Sequence, residues 1–139
     1  MKEAPRRRNR SRQRELILQF LRASEEHPTA AHTHAALLRR MPNLSLGTVY
    51  RNLEVLVHEG LVEELAAAGG ARYDGNPNAH HHFICEGCGA IDDLHLQAPP
   101  SLAQKLRRAR GRKALRVRID FFGLCEACES HGSEAGAAR

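Results

Sequence analysis

The first sixty residues carry apolar side chains three or four positions apart in three successive stretches, the spacing of amphipathic helices. Ser11 can cap a first helix, and Thr29 can cap a second helix that runs to about Arg40. Ser45 starts a third helix, and Gly60 closes it. Because Pro and other turn residues separate these stretches, the pattern predicts three distinct helices.

The third helix has an apolar face and a polar face. The predicted buried stripe consists of Leu46, Val49, Leu53 and Leu56. Two short strands, 61–65 and 71–74, follow around an Ala-Gly-Gly turn and predict a hairpin. Three helices and a hairpin are typical of a winged helix, whose third helix enters the major groove of DNA. The predicted DNA contacts are Arg14, Ser45, Thr48, Tyr50, Arg51 and Asn52. The alternative is a helical domain whose polar face is only solvated.

The second half of the chain has the shorter periodicity of strands. Residues 80–85 and 90–96 predict a hairpin, 102–110 a helix and 115–124 a final alternating strand. From about Ser130 the residues are small and polar, which predicts disorder. Since this half has few apolar residues for a core, we expect zinc and self-association to support it. The predicted fold class is α+β.

Length and charge limit the choice of function. A chain of 139 residues fits two small domains, and we predict a DNA-binding domain at 1–76 and an α/β dimerisation domain at 77–139. No apolar run could span a bilayer and no signal peptide is present, so we expect a cytoplasmic protein without membrane contact. Residues 1–14 hold seven Lys or Arg and one Glu, a net charge of +6, whereas the whole chain carries +5. Such a basic arm favours attraction to phosphate, although basic ends are often only solvated.

All four cysteines occur in two CxxC pairs, Cys85 with Cys88 and Cys125 with Cys128. Each CxxC turn can present two sulfurs to one point, so the pairs predict a structural Zn²⁺ site. The alternatives are disulfides or a redox pair. No secretory signal supports disulfides, and neither pair is predicted to open a helix in a βαβ unit.

A run of three histidines precedes the first CxxC pair. In a strand, His80 and His82 point to the same face while His81 faces away, so two imidazoles can meet one ion. The alternative is a solvated strand end. A more remote alternative is a non-haem iron enzyme, since two histidines and carboxylates form such ligand sets.

Several motifs together resemble the ferric uptake regulator family over about residues 11–130. They are H-P-T-A at 27–30, S-L-G-T-V-Y-R-N-L at 45–53, G-L-V-E at 60–63, R-Y-D at 72–74, H-H-H-F-I-C-E-G-C-G at 80–89 and C-E-A-C at 125–128. The resemblance implies a metal-dependent repressor, not an enzyme, that binds an inverted repeat of double-stranded DNA as a homodimer. It also implies that a regulatory metal sets the orientation of the two domains.

The resemblance assigns the regulatory ligands to His27, Asp74, His80, His82 and Asp93. Such nitrogen and oxygen donors suit Fe²⁺ or Mn²⁺. An additional site known in iron-responsive members is not expected. Its positions would be Ala79, His81, Pro100 and Val117.

Three His and two Asp resemble the peroxide-responsive (PerR) branch, whereas the iron-responsive branch tends to have Glu at the positions of Asp74 and Asp93. In the peroxide-responsive branch, bound iron reacts with peroxide and a ligand histidine is oxidised. The resemblance makes His27 and His80 the candidates for oxidation. A repressor that senses the level of iron or manganese is the alternative.

Overall fold

The structure is a computed structural model that describes residues 5–135. The helices are α1 (Pro5–Ala23), α2 (Ala30–Leu37), α3 (Leu46–His58), α4 (Pro100–Arg110) and α5 (Glu126–Ala135). The strands are β1 (Glu63–Leu65), β2 (Arg72–Asp74), β3 (His81–Cys85), β4 (Ile91–Leu94) and β5 (Asp120–Gly123). The chain divides into an N-terminal unit, Met1–Asn78, and a C-terminal unit, Ala79–Arg139. None of the described helices is both long enough and apolar enough to cross a membrane.

The N-terminal unit packs α1, α2 and α3 around one apolar core and ends in the antiparallel β1–β2 hairpin. The core residues are Ile17, Leu18, Leu21, Ala30, Leu37, Leu44, Val49, Leu53, Leu56, Val62 and Tyr73. Burial of each large aliphatic side chain contributes about 1.5–3 kcal/mol. The α+β class and the winged-helix order of elements predicted from the pattern are confirmed.

Helix α3 begins at the predicted cap, because the Ser45 Oγ accepts a hydrogen bond from the Thr48 N–H at 3.1 Å. Two predictions about which residues of α3 are buried were wrong. Leu46 is 39% exposed instead of buried, because it lies in the first turn of α3, outside the core. Asn52 is only 6% exposed, because three-residue spacing from Val49 turns it toward the interior.

Two helix ends differ from the prediction. Helix α1 begins at Pro5, so Ser11 lies inside the helix and does not cap it. Proline is tolerated in the first turn, and the Arg and Gln residues that follow it favour helix. Helix α2 ends at Leu37, before the predicted end at Arg40. A tighter turn follows it, in which the Arg40 N–H donates a hydrogen bond to the Leu37 carbonyl at 3.1 Å.

The C-terminal unit is built on a three-stranded sheet in the order β4–β3–β5. β3 is antiparallel to β4 and parallel to β5. Helix α4 lies in the connection from β4 to β5, as a parallel pairing requires a long crossover.

The final strand is shorter than predicted, and the tail is more ordered. Alternation over 115–124 predicted one strand, but only Asp120–Gly123 pairs with β3, and Leu115 is 89% exposed. β3 begins at His81, so its contact with the segment ends near Ile119, whose carbonyl accepts a hydrogen bond from the His82 N–H at 3.1 Å. The tail after Ser130 was predicted to be disordered, yet α5 continues to Ala135. Glu126 and Glu129 in its first turn stabilise the positive end of the helix dipole. Residues 136–139 lie outside the described residues.

Candidate metal centres and DNA-facing helix

The four cysteines converge where β3 and β5 end. Cys85 is the last residue of β3, and its register partner Gly123 leads through Leu124 to Cys125. The four Sγ atoms lie within 4.8 Å of one another. The Cys88 and Cys125 Sγ atoms are 3.9 Å apart, close to the roughly 3.8 Å edge of a tetrahedron with 2.3 Å Zn–S bonds. A disulfide would need about 2.05 Å, so the cluster suits zinc.

The cluster is built to carry negative charge on sulfur. The Cys85 Sγ accepts hydrogen bonds from the backbone N–H groups of Cys88 at 3.5 Å and of Cys125 at 3.3 Å. These hydrogen bonds lower the pKa of Cys85 to about 6, and the one from the Cys88 N–H has the largest effect. Hydrogen bonding to the other thiols raises the pKa of Cys128 to about 12, and the bond with Cys125 has the largest effect. Four thiolates at these distances repel one another, so a cation such as Zn²⁺ would stabilise them by neutralising their charge.

The second CxxC pair lies at the start of α5, which begins immediately after Cys125. No strand follows α5 in the described residues, so the helix is not part of a βαβ unit, as predicted. The start of α5 brings Cys128 against the first CxxC turn. A Cβ on Gly87 would lie 2.9 Å from the Cys128 Sγ, so only glycine fits in that turn. Sequence reasoning missed Gly87, although its place inside the CxxC motif was a signal for it.

The N-terminal unit holds one buried His–Asp pair. His27 lies between α1 and α2, and Asp74 ends β2. Their Nε2 and Oδ2 atoms are 3.3 Å apart, and both side chains are buried. The Asp74 Oδ1 also accepts the Asn76 N–H at 2.8 Å, which fixes the carboxylate.

The C-terminal unit brings together two histidines and one aspartate. The Asp93 Oδ1 lies 3.3 Å from the His80 Nε2 and 3.5 Å from the His82 Nε2. The β3–β4 register produces this geometry, since His82 pairs with Asp93 and His80 immediately precedes β3. His81 points elsewhere, and its Nδ1 accepts the Ile119 N–H at 3.0 Å. Both predicted imidazoles therefore meet the predicted carboxylate.

The structure adds Asp120 to this group. The Asp120 Oδ1 lies 3.5 Å from the His82 Nδ1, on the opposite side of the ring from Asp93. The Arg118 Nη2 donates to the other oxygen of this carboxylate, the Asp120 Oδ2, at 3.0 Å. A metal-ligating histidine usually has a carboxylate at its second ring nitrogen, which orients the ring. Sequence reasoning missed Asp120, because only the parallel β3–β5 pairing brings it to His82.

The donor atoms indicate which ions the residues suit. Four thiolates suit Zn²⁺, whereas imidazole and carboxylate donors suit Fe²⁺ or Mn²⁺. Burial of His27, Asp74, His80 and His82 makes their polar atoms costly unless they are paired, and each lies against a His or Asp of its own unit. A bound cation would compensate them further.

The predicted DNA-contacting residues have different surroundings. Tyr50 and Arg51 are exposed on α3, and Arg51 donates to the Thr48 hydroxyl at 3.0 Å. Asn52 is buried, although the pattern predicted that it faces away from the core, and its contact with DNA stays a prediction. Its Oδ1 accepts from the Arg14 Nε at 3.2 Å, and its Nδ2 donates to the Thr48 carbonyl at 3.0 Å. Asn52 therefore ties α3 to α1.

Comparison with known proteins agrees with the fold. The model of the ferric uptake regulator family matches residues 8–122. The peroxide operon regulator of Bacillus subtilis is 38% identical over 117 residues, which cover 84% of this chain and 81% of that protein. The peroxide-responsive repressor PerR of Staphylococcus epidermidis is 34% identical over 122 residues, covering 87% and 81%.

A solved structure agrees as well. The crystal structure of the Campylobacter jejuni peroxide stress regulator matches with a TM-score of 0.72 and 27% identity. The match covers 86% of this chain and 91% of that one. The chain belongs to the ferric uptake regulator family, as its motifs predicted.

Proposed function

We propose that the chain is a metal-dependent, dimeric transcriptional repressor that senses peroxide. The observation that carries the proposal is the pair of His–Asp clusters, His27 with Asp74 in one unit and His80, His82 with Asp93 in the other. Relatives at 34–38% identity are named peroxide-responsive repressor and peroxide operon regulator, which supports the same function.

In this proposal, one Fe²⁺ or Mn²⁺ ion takes ligands from both clusters. An ion held by residues of both units stabilises only the arrangement in which those residues converge, so metal shifts the population toward the DNA-binding form. A shift from mostly open to mostly closed requires differential binding of about 5 kcal/mol. Five ligands that come from two units are suited to supply it.

Ferrous iron bound at this site would reduce hydrogen peroxide next to the imidazole ligands. The net change adds one oxygen atom from hydrogen peroxide to the ring of His27 or His80 and releases one water. An oxidised His27 or His80 would be a weaker ligand, so the five residues would no longer hold the metal and repression would end. Mn²⁺ would support DNA binding without this oxidation.

The remaining parts of the molecule have corresponding roles in the proposal. Residues 1–76 bind DNA and residues 77–139 dimerise in the cytoplasm. Phe121 and Phe122 on β5 are exposed, as a surface that packs against a second copy would be. A twofold dimer would place two α3 helices in successive major grooves of an inverted repeat. Tyr50 and Arg51 are the α3 side chains available for these contacts.

Peptide mass spectrometry tests peroxide sensing. Protein is loaded anaerobically with Fe²⁺, exposed to a small excess of hydrogen peroxide and digested. We expect one added oxygen on the peptide of His27 or His80, none on that of the exposed His131, and none anywhere in Mn²⁺-loaded protein. Unmodified histidines in protein that retains iron would instead favour a sensor of metal level.

A separate variant tests the shared ion. His27→Ala is expected to keep zinc and the dimer but to lose Mn²⁺-dependent DNA binding, because the N-terminal unit would lose its imidazole ligand. His32→Ala, at an exposed position of the same unit, serves as the control. DNA binding by His27→Ala that still responds to Mn²⁺ would refute the shared ion.

A further inference from the structure

His27 has a backbone conformation that ordinary residues avoid. Its φ is 51°, and among the described residues it is the only one other than glycine with a positive φ. Side chains of L-residues crowd the backbone in this left-handed region. The following Pro28 further favours an extended conformation at position 27. Contacts elsewhere must therefore hold the loop in this form.

The side chain of Arg72 makes those contacts. Its Nε donates to the His27 carbonyl, and its Nη2 donates to the Glu26 carbonyl. One planar guanidinium thus holds two consecutive peptide groups in a fixed relation. The next residue of β2 continues the attachment, since the Tyr73 N–H donates to the Pro28 carbonyl at 3.0 Å.

The same strand carries the partner of His27. Arg72 begins β2 and Asp74 ends it, so one three-residue strand holds both the loop and the carboxylate. As a result the His27 Nε2 lies 3.3 Å from the Asp74 Oδ2, with both side chains buried. Without the guanidinium, the backbone at His27 would be free to return to an extended conformation and carry the imidazole away.

We propose that Arg72 is a positioning residue for the regulatory metal: it holds the left-handed backbone of His27 so that the imidazole stays beside Asp74. This inference rests on the proposed function, in which His27 and Asp74 are ligands. It predicts that Arg72 affects metal binding through His27 alone. Lysine cannot replace it fully, because an ammonium group lacks the planar fork that reaches both carbonyls.

The test measures the Mn²⁺ affinity of zinc-loaded, full-length protein. Arg72→Ala is expected to weaken Mn²⁺ binding by roughly 10–100-fold, the usual range for residues that orient metal ligands. Arg72→Lys is expected to lose less, and Arg39→Ala, at an exposed arginine of the same unit, to lose nothing. The zinc content and the melting temperature of each variant establish that it is folded.

A double variant separates positioning from general support of the fold. In the His27→Ala background, Arg72→Ala should cause no further loss of Mn²⁺ affinity. The visible absorption of Co²⁺ bound in place of Mn²⁺ should change alike in both single variants, since each removes the same ligand.

Three results would overturn the inference. The first is wild-type affinity in folded Arg72→Ala, or in Arg72→Lys if the alanine variant does not fold. The second is an equal loss on Arg72→Ala with and without His27. The third is an unchanged affinity in His27→Ala itself, which would overturn the proposed regulatory site together with this inference. The first two results leave that site intact.

Discussion

His82 has a carboxylate on each side of its ring. It is fully buried, with Asp93 3.5 Å from Nε2 and Asp120 3.5 Å from Nδ1. If Nε2 binds the regulatory metal, a hydrogen bond from the Nδ1–H to Asp120, whose Oδ1 lies 3.5 Å away, would orient the ring. Asp120 in turn is held by Arg118, so its own orientation is constrained.

We therefore expect Asp120→Ala to weaken Mn²⁺ binding by roughly 10–100-fold. Asp92→Ala, which removes an exposed carboxylate of β4 on the other side of β3, is the control for the loss of negative charge. Titration of Mn²⁺ into zinc-loaded protein measures both. Equal affinities in the two variants would mean that the position of Asp120 next to His82 has no role in binding.

The cysteine cluster gives a second prediction at the same scale. Structural zinc contributes about 10–16 kcal/mol in small zinc domains, comparable with the entire stability of a typical protein, about 5–15 kcal/mol. Cys88→Ser should therefore lose zinc and either unfold the C-terminal unit or make the protein monomeric. Metal analysis, circular dichroism and sedimentation measure these changes, with Ser130→Ala in α5 as the control. A stable dimer without zinc would refute a structural role for the ion.

Among the elements, α3 combines two roles at its first residues. Ser45 caps the helix and is also exposed at the end proposed to approach DNA. Ser45→Ala should destabilise the protein by about 1 kcal/mol, because the Thr48 N–H loses its acceptor. Ser45→Asp should retain the cap but weaken DNA binding, because it adds negative charge next to phosphates.

Denaturant unfolding and DNA titration of the two Ser45 variants separate these roles. Unchanged stability in the alanine variant would show that the cap contributes little. Unchanged DNA affinity in the aspartate variant would place the phosphates away from this end of α3.

Local chemistry explains which elements the sequence could predict. The cap of α3 is a hydrogen bond over three residues, between Ser45 and Thr48, so the chain itself displays it. The bounds of β5 and α5 depend on distant partners: β5 is limited by its pairing with β3, and α5 begins immediately after Cys125, a residue of the cysteine cluster. Alternation over 115–124 therefore predicted a longer strand than the four residues that pair with β3.

The same distinction holds for the metal-ligating residues. His80 and His82 share a face because strands have a period of two, and this could be read directly. Arg72 reaches the loop at His27 over 45 positions, and Asp120 meets His82 only through a parallel pairing. Such residues carry no local signal, so the sequence predicted the candidate ligands but not the residues that contact them.

For the whole molecule, the uneven distribution of charge matters most. Residues 1–14 carry a net +6, and residues 105–118 carry eight Lys or Arg with no Asp or Glu. Since the whole chain carries +5, the remaining residues sum to −9. Two basic segments, one in each unit, are thus separated by acidic sequence, and only the N-terminal one belongs to the helices proposed to bind DNA.

Salt dependence can distinguish the two segments, because each phosphate that the protein no longer neutralises reduces the slope of log affinity against log salt by about 0.9. Arg10→Gln with Arg12→Gln removes two exposed charges from α1, and Arg107→Gln with Arg108→Gln removes two from α4. In a dimer, the α1 pair should reduce the slope by up to about 4, while the α4 pair should leave it unchanged. The variants are matched in charge, so any difference between them comes from position. A reduced slope in the α4 pair would place the C-terminal unit against the phosphate backbone as well, and an unchanged slope in the α1 pair would remove the extended α1 from the DNA interface.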